Sequence, residues 1–161
     1  MRRYVVAAAV AAALALPAVA AAKGPESAAL YGPGLGRSLA IGGDGELGNS
    51  TPLGTLVNLG GFMAQMYGQS PDPTISARPK AVLGPRYRVV YVVPGPNSIK
   101  SRVVQLVYPY ARPVPVTYMK PGQRFWGSRL THGGWYRSSA DLRKMLVRAG
   151  LPATAPATTQ A

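Results

Sequence analysis

The residues best suited to chemistry lie between Pro121 and Arg137, in the run PGQRFWGSRLTHGGWYR. There Phe125, Trp126, Trp135 and Tyr136 are interleaved with Arg124, Arg129 and Arg137 among flexible glycines, and His132 stands inside the run. Aromatic faces stack on sugar rings or bases while guanidinium groups hold anions, so Arg124, Trp126, Arg129, His132, Trp135, Tyr136 and Arg137 form the candidate ligand-binding set. The plainer alternative is that the aromatics pack between a sheet and the final helix, with the arginines merely solvated.

His132 is the only histidine, so any His-dependent nucleophilic triad must use it as the base. Ser128, Ser138 or Ser139 would then attack, and Asp44, Asp72 or Asp141 would orient the ring. None of these serines sits in a G-x-S-x-G turn, which leaves a small hydrolase using His132 as the alternative function. Paired carboxylates are scarce: of five acids, only Asp44 and Glu46 are close in sequence, in a glycine-rich loop. One histidine, no cysteine and few carboxylates argue against a metal cage, and no cofactor motif is present. Gly32-Pro33-Gly34-Leu35-Gly36-Arg37-Ser38 is rich in glycine like a phosphate-binding loop. Such a loop needs a strand before it and a helix after it; neither is expected here and Pro33 lacks a donor, so the segment reads as a turn.

Charge is the strongest global signal. Lysine and arginine number 18 against 5 acids, a net charge of +13. Residues 23–72 hold two bases and four acids, whereas residues 78–150 hold fourteen bases and the single acid Asp141. So large an excess cannot be paired internally and draws anions from solution.

The elements that must position these residues read as follows. Ser38 to Ile41 suits a short strand, and a helix capped by Ser50 or Thr51, with Pro52 at its first position, carries Leu53, Leu56, Val57, Met63, Met66 and Tyr67 at helical spacing. Its glycines weaken it. Ser70-Pro71-Asp72-Pro73 and Arg78-Pro79 mark a turn-rich surface connection rather than a boundary between two domains. Arg86 to Val93 and Arg102 to Tyr110 form an antiparallel hairpin around Pro94 to Ser98. Alternation sets Arg86 and Arg88 on one face with Val90 and Val92, and Lys100 and Arg102 add a second basic cluster that would blunt an edge or keep the protein soluble. Val114 to Met119 follows as a third strand, confined to an edge by Pro113 and Pro115. Ser138 caps a last helix to Ala149, with Asp141 at the capping-box position and Leu142, Met145, Leu146 and Ala149 as its apolar stripe. The expected fold is α+β: a small antiparallel meander with two or more packed helices, one domain over 23–150, and no disulfides. Residues 151–161 are expected to be a disordered Ala/Thr/Pro tail; Leu151-Pro152-Ala153-Thr154-Ala155 resembles a sortase signal but lacks the hydrophobic stretch and basic tail that follow one.

Arg2 and Arg3 precede an uncharged run from Tyr4 to Leu16, ended by Pro17 and followed by small-x-small cleavage sites before Ala21 and Lys23. This is a cleavable signal peptide over residues 1 to about 22, and its removal leaves no transmembrane segment. The motifs YVVPGPN, YPYA, PVTYMKPGQRFWG, THGGW and RAGLP, between Arg86 and Pro152, resemble small exported proteins of high-GC Gram-positive bacteria with no assigned activity. That resemblance implies a location outside the cell and brings no catalytic residues. The leading expectation is a secreted or envelope-associated, non-enzymatic binding protein for an anionic partner: wall polymer, acidic glycan, lipid headgroup or acidic protein, with intracellular nucleic acid excluded by export. An inhibitor of secreted proteases presenting Pro94 to Ser98 is a further alternative. Intact mass of the protein recovered from culture medium is expected to begin at Ala21 or Lys23; a secreted species retaining Met1 to Leu16 would overturn the reading.

Overall fold

Glycines, prolines and short apolar runs cut this chain into short elements, and a computed structural model describing residues 24–157 shows their assembly. The expected signal peptide and the last four residues of the tail lie outside the described residues. In chain order the elements are β1 (Ser27–Tyr31), β2 (Leu39–Ile41), α1 (Pro52–Leu59), α2 (Phe62–Tyr67), β3 (Tyr87–Pro94), β4 (Lys100–Tyr108), β5 (Val116–Met119), β6 (Arg124–Phe125), β7 (Arg129–Leu130), β8 (Gly134–Arg137) and α3 (Ala140–Arg148). Six strands form one antiparallel sheet in the order β2-β1-β3-β4-β5-β8, while β6 and β7 make a separate hairpin. The fold is α+β, as the order of elements implies.

The strands sort their residues by alternation. Tyr87, Val89, Tyr91 and Val93 of β3 are fully buried on the inner face, beneath Leu53, Leu56 and Val57 of α1, Phe62 and Met66 of α2, and Leu142 and Leu146 of α3. Each such side chain contributes about 1.5–3 kcal/mol by leaving water. The Phe62 and Tyr91 rings meet at 4.5 Å. On the outer face a smaller cluster of Leu83, Tyr108, Ala111, Val116 and Trp135 lies under the connection between α2 and β3. That connection crosses the sheet as a surface segment: Ile75 pairs with Trp135, and Val82 with Arg112.

Four expectations need correction. The sheet is twice the size of a three-strand meander, because the alanine-rich β1 carries little intrinsic strand signal and β8 is a four-residue segment set among glycines, yet they find partners in β3 and β5. β5 is interior, not an edge, since Pro113 and Pro115 precede the ladder and leave its N–H groups free to pair on both sides. Likewise β3 and β4 are central, so their arginines blunt no edge. The single helix expected after Thr51 breaks at Gly60-Gly61, where Gly61 takes φ 66° and a Cβ would stand 2.4 Å from the Tyr136 ring. Its start is as expected, with Thr51 Oγ1 accepting the Gly54 N–H at 3.0 Å.

At the last helix the cap is Ser139, whose Oγ accepts from Asp141 N–H, while Ser138 turns inward and donates to the Leu59 carbonyl at 2.6 Å. Asp141 therefore misses the capping-box position, and Met145 is half-buried where Leu142 and Leu146 are fully covered. Nor does the chain leave the body at Leu151. That side chain is buried, the Tyr110 hydroxyl donates to the Pro152 carbonyl, and Arg143 donates to the Ala153 carbonyl. Leu146→Ala is expected to cost about 2–5 kcal/mol in urea unfolding, against under about 0.5 kcal/mol for the exposed Lys144→Ala; similar losses would place α3 wrongly.

Candidate functional site

The seven candidate residues do not form one cluster. Trp135 is buried on the outer face between Tyr118 and Tyr108, at centroid distances of 4.7 and 5.8 Å, and Arg137 is exposed on the same side. Tyr136 points inward against Gly61. Arg124, Trp126 and Arg129 remain together, on the β6–β7 hairpin at the end of the sheet where β3 turns into β4.

Local sequence explains the hairpin. Gly122 takes φ 77° after Pro121, and Gln123 then reaches back to β4, its amide accepting the Val104 N–H at 2.8 Å and donating to the Val104 carbonyl at 2.7 Å. A side chain thus completes the β4 ladder beyond the end of β5. Buried Thr131 closes the base, accepting from Gln123 N–H at 3.0 Å and donating to the Lys120 carbonyl at 2.9 Å. At the tip Trp126 and Gly127 both adopt left-handed backbones, φ 46° and 80°. Glycine does so freely, but for tryptophan this costs on the order of 1–3 kcal/mol.

Packing offsets that strain. The Trp126 ring lies 5.3 Å from Phe125 and 5.9 Å from Tyr67, and it sits so close over Gly95 that a Cβ there would stand 2.4 Å from it. Its backbone N–H donates to Ser101 Oγ at 2.9 Å. Burial pushes the Tyr67 hydroxyl up, with the Arg129 charge opposing. The indole Nε1, however, is buried and has no hydrogen-bond partner among the described residues. Asn97 and Ser98, in the loop that adjoins Gly95, are left-handed too, so the positive-φ residues other than glycine among the described residues all lie in these two touching loops. Left-handed backbone and an orphaned donor thus meet at the contact of these two loops.

Its electrostatics are one-sided. Arg129 stands over the Phe125 and Trp126 rings at 5.9 and 5.7 Å, and Arg124 reaches only the Gly127 carbonyl, at 3.4 Å. All five acids lie within the described residues, and none pairs with either arginine: Glu26 meets Lys100 and Asp141 meets Lys144, Asp72 meets His132, and Asp44 and Glu46 stay in the loop before α1. Every lysine and arginine among the described residues is exposed.

His132 has a different setting. Its Nε2 lies 2.7 Å from Asp72 Oδ2 and 3.4 Å from Thr74 Oγ1, and its Nδ1 side faces Gly68. A triad needs the carboxylate on one ring nitrogen and the nucleophile on the other. Here both sit on Nε2. Ser138 and Ser139 are spent on the Leu59 carbonyl and the α3 cap. The Pro94–Ser98 loop is likewise folded into a 3-10 turn, with Gly95 N–H bonded to the Ile99 carbonyl at 2.7 Å, rather than extended as a protease substrate would be. Among the described residues no three His, Asp or Glu side chains gather as metal ligands, and no helix is long and apolar enough to cross a membrane.

Sequence reading missed Tyr67, Gly95, Ser101 and Gln123 as parts of the site. Tyr67 reads as part of a helix stripe, and for the others no local pattern announces a partner 19 or more residues away. No protein-family model, curated protein or solved structure matches this chain.

The Thr74 N–H, then the Thr74 hydroxyl, then His132 hold the Asp72 carboxyl below its usual range. A depressed carboxylate contributes stability above its unfolded pKa, and that contribution fades as pH falls through the folded value. The melting-temperature gap between wild type and Asp72→Asn should accordingly be open at pH 5 and close toward pH 2. A gap that widens on acidification would contradict the assignment.

Proposed function

We propose that this protein is an exported, non-enzymatic binding protein for an anionic partner, and that Arg124 and Arg129 beside Trp126 form its contact site. One observation carries the reading: two exposed guanidinium groups without carboxylate partners are mounted on a hairpin whose tip is strained, with three of the five acids paired to other basic side chains and the other two in the loop before α1. Guanidinium groups grip carboxylate, sulfate and phosphate oxygens alike. Wall polymers, acidic glycans, lipid headgroups and acidic protein surfaces share that chemistry. The Gln123 clamp and the packed Trp126 hold the hairpin in place before a ligand arrives, which lowers the ordering cost of binding. A role outside the cytoplasm rests on the signal peptide read in residues 1 to about 22.

On a heparin column the mature protein should elute well above the salt required by a small control protein of equal pI with dispersed charge, since multidentate contacts add counterion release to net attraction. Arg124→Ala with Arg129→Ala should lower the elution salt more than the charge-matched Arg143→Ala with Lys144→Ala. Equal losses from the two pairs would reduce the site to generic basicity.

A further inference from the structure

The inner face of the sheet is covered by three helices, and the outer face only in part. The connection between α2 and β3 shields the outer side of β5, β8 and the adjoining end of β4, where Leu83 clusters with Tyr108 and Val116, and leaves β1, β3 and the rest of β4 open. There the ladder aligns Ala29, Val90 and Val104 in one row, all half-exposed. Val92 and Leu106 extend this apolar floor along β3 and β4. Arg88 stands at one end of the middle strand β3 and Arg102 at a corner on β4, paired across the ladder with Leu106 and Val92. The Arg88 guanidinium rests over the Tyr31 ring at 5.0 Å, and Tyr31 is itself 39% exposed. No carboxylate pairs with either arginine; the nearest acid on this side, Glu26, is bound to Lys100 at the border.

We infer that this open face docks an acidic amphipathic helix of another protein. Three strands span roughly 10 Å and five residues of each about 13 Å, which matches the width and two turns of a helix. A leucine ridge would reach the short valine and alanine floor, while flanking glutamates met Arg88 and Arg102. The result is a third layer, repeating on this side the helix-on-sheet packing already present on the other. A second copy of the chain is a poor occupant, because the net charge of +13 and the arginines on both faces oppose it. A bilayer is a poor occupant because the floor is made of short, part-buried alanine and valine side chains with the part-buried Leu106, and it holds no exposed large apolar group to insert among acyl chains. This docking face goes beyond the hairpin reading and uses none of its residues.

The probe is a synthetic peptide of glutamates with leucines at i, i+3, i+4 and i+7, compared with its scrambled isomer of identical charge. Titrated into the protein at about 0.15 M salt, where exposed charges are screened beyond roughly 8 Å, the patterned peptide should bind at least about tenfold tighter than the scramble. It should gain helical circular dichroism and shift amide resonances of β1, β3 and β4. Val90→Thr with Val104→Thr should erase the preference without losing the fold; were that variant unstable, the amide shifts of the wild type decide. Equal affinity for the two isomers, shifts confined to the β6–β7 hairpin, or binding only to phosphatidylglycerol vesicles would overturn the inference. Arg124→Ala with Arg129→Ala should leave the preference intact. Absence of the preference in the wild type, with heparin elution lowered by Arg124→Ala and Arg129→Ala as expected, overturns the docking face alone; a clear preference with heparin elution unmoved by that pair overturns the hairpin alone.

Discussion

Gly60 ends α1, and its carbonyl oxygen lies buried over the middle of the sheet, where a lone acceptor would cost a few kcal/mol. Two donors meet it, Gln105 Nε2 of β4 and Thr117 Oγ1 of β5, each at 2.8 Å. The same Gln105 amide also donates to Gln65 Oε1 of α2, and its own oxygen accepts the Tyr91 hydroxyl of β3 at 2.8 Å. Gln65 Nε2 then donates to the Gly134 carbonyl at the start of β8 at 2.8 Å. Six elements are tied through two amides. Because the members satisfy one another, the network holds one arrangement of helices on strands, where an apolar interface would tolerate several. Burial drives the Tyr91 hydroxyl far above its usual range, so it stays a donor.

The hairpin hangs from this frame. Gly133 N–H bonds to the Gln65 carbonyl at 2.7 Å, and His132 N–H to the Met66 carbonyl at 3.3 Å, so the end of α2 fixes where β7 stops and β8 begins. Tyr67, the last residue of α2, then supplies the ring against which Phe125 and Trp126 pack. Fixing the helix break therefore places the arginines of the hairpin as well, through a short chain of backbone bonds and ring contacts. Stability drawn from the core offsets the left-handed Trp126 and its unbonded indole N–H.

Charge is laid over this scaffold without being part of it. The described lysines and arginines are exposed, and carboxylates reach only Lys100 and Lys144 among them. Exposed pairs of that kind contribute little to stability. The folded state gains no cohesion from its positive charge and carries some self-repulsion instead. On the two surfaces proposed for binding, that charge stands beside aromatic rings on the hairpin at one end and beside an apolar floor, at Arg88 and Arg102, on the open sheet face.

Local signals in the sequence sufficed for the α+β class, the β3–β4 hairpin with its facing of residues, the Thr51 cap and the charge excess, because each depends on neighbours along the chain. Leu142 and Leu146 were legible as core for the same reason. What only the tertiary structure decided is whatever depends on partners far away in sequence. β1 is a strand because β3 offers it hydrogen bonds, not because alanine prefers extended backbone, and the short β8 is one because β5 pairs with it. The cluster read between Pro121 and Arg137 was contiguous in sequence, but a strand sends successive side chains to opposite faces, so Trp135 and Tyr136 part company at β8. Gln65 and Gln105 looked like ordinary polar residues in apolar runs. Their role appears only once Gly60, forty-five residues from Gln105, has been folded over them, since a buried amide is explained by the groups that satisfy it.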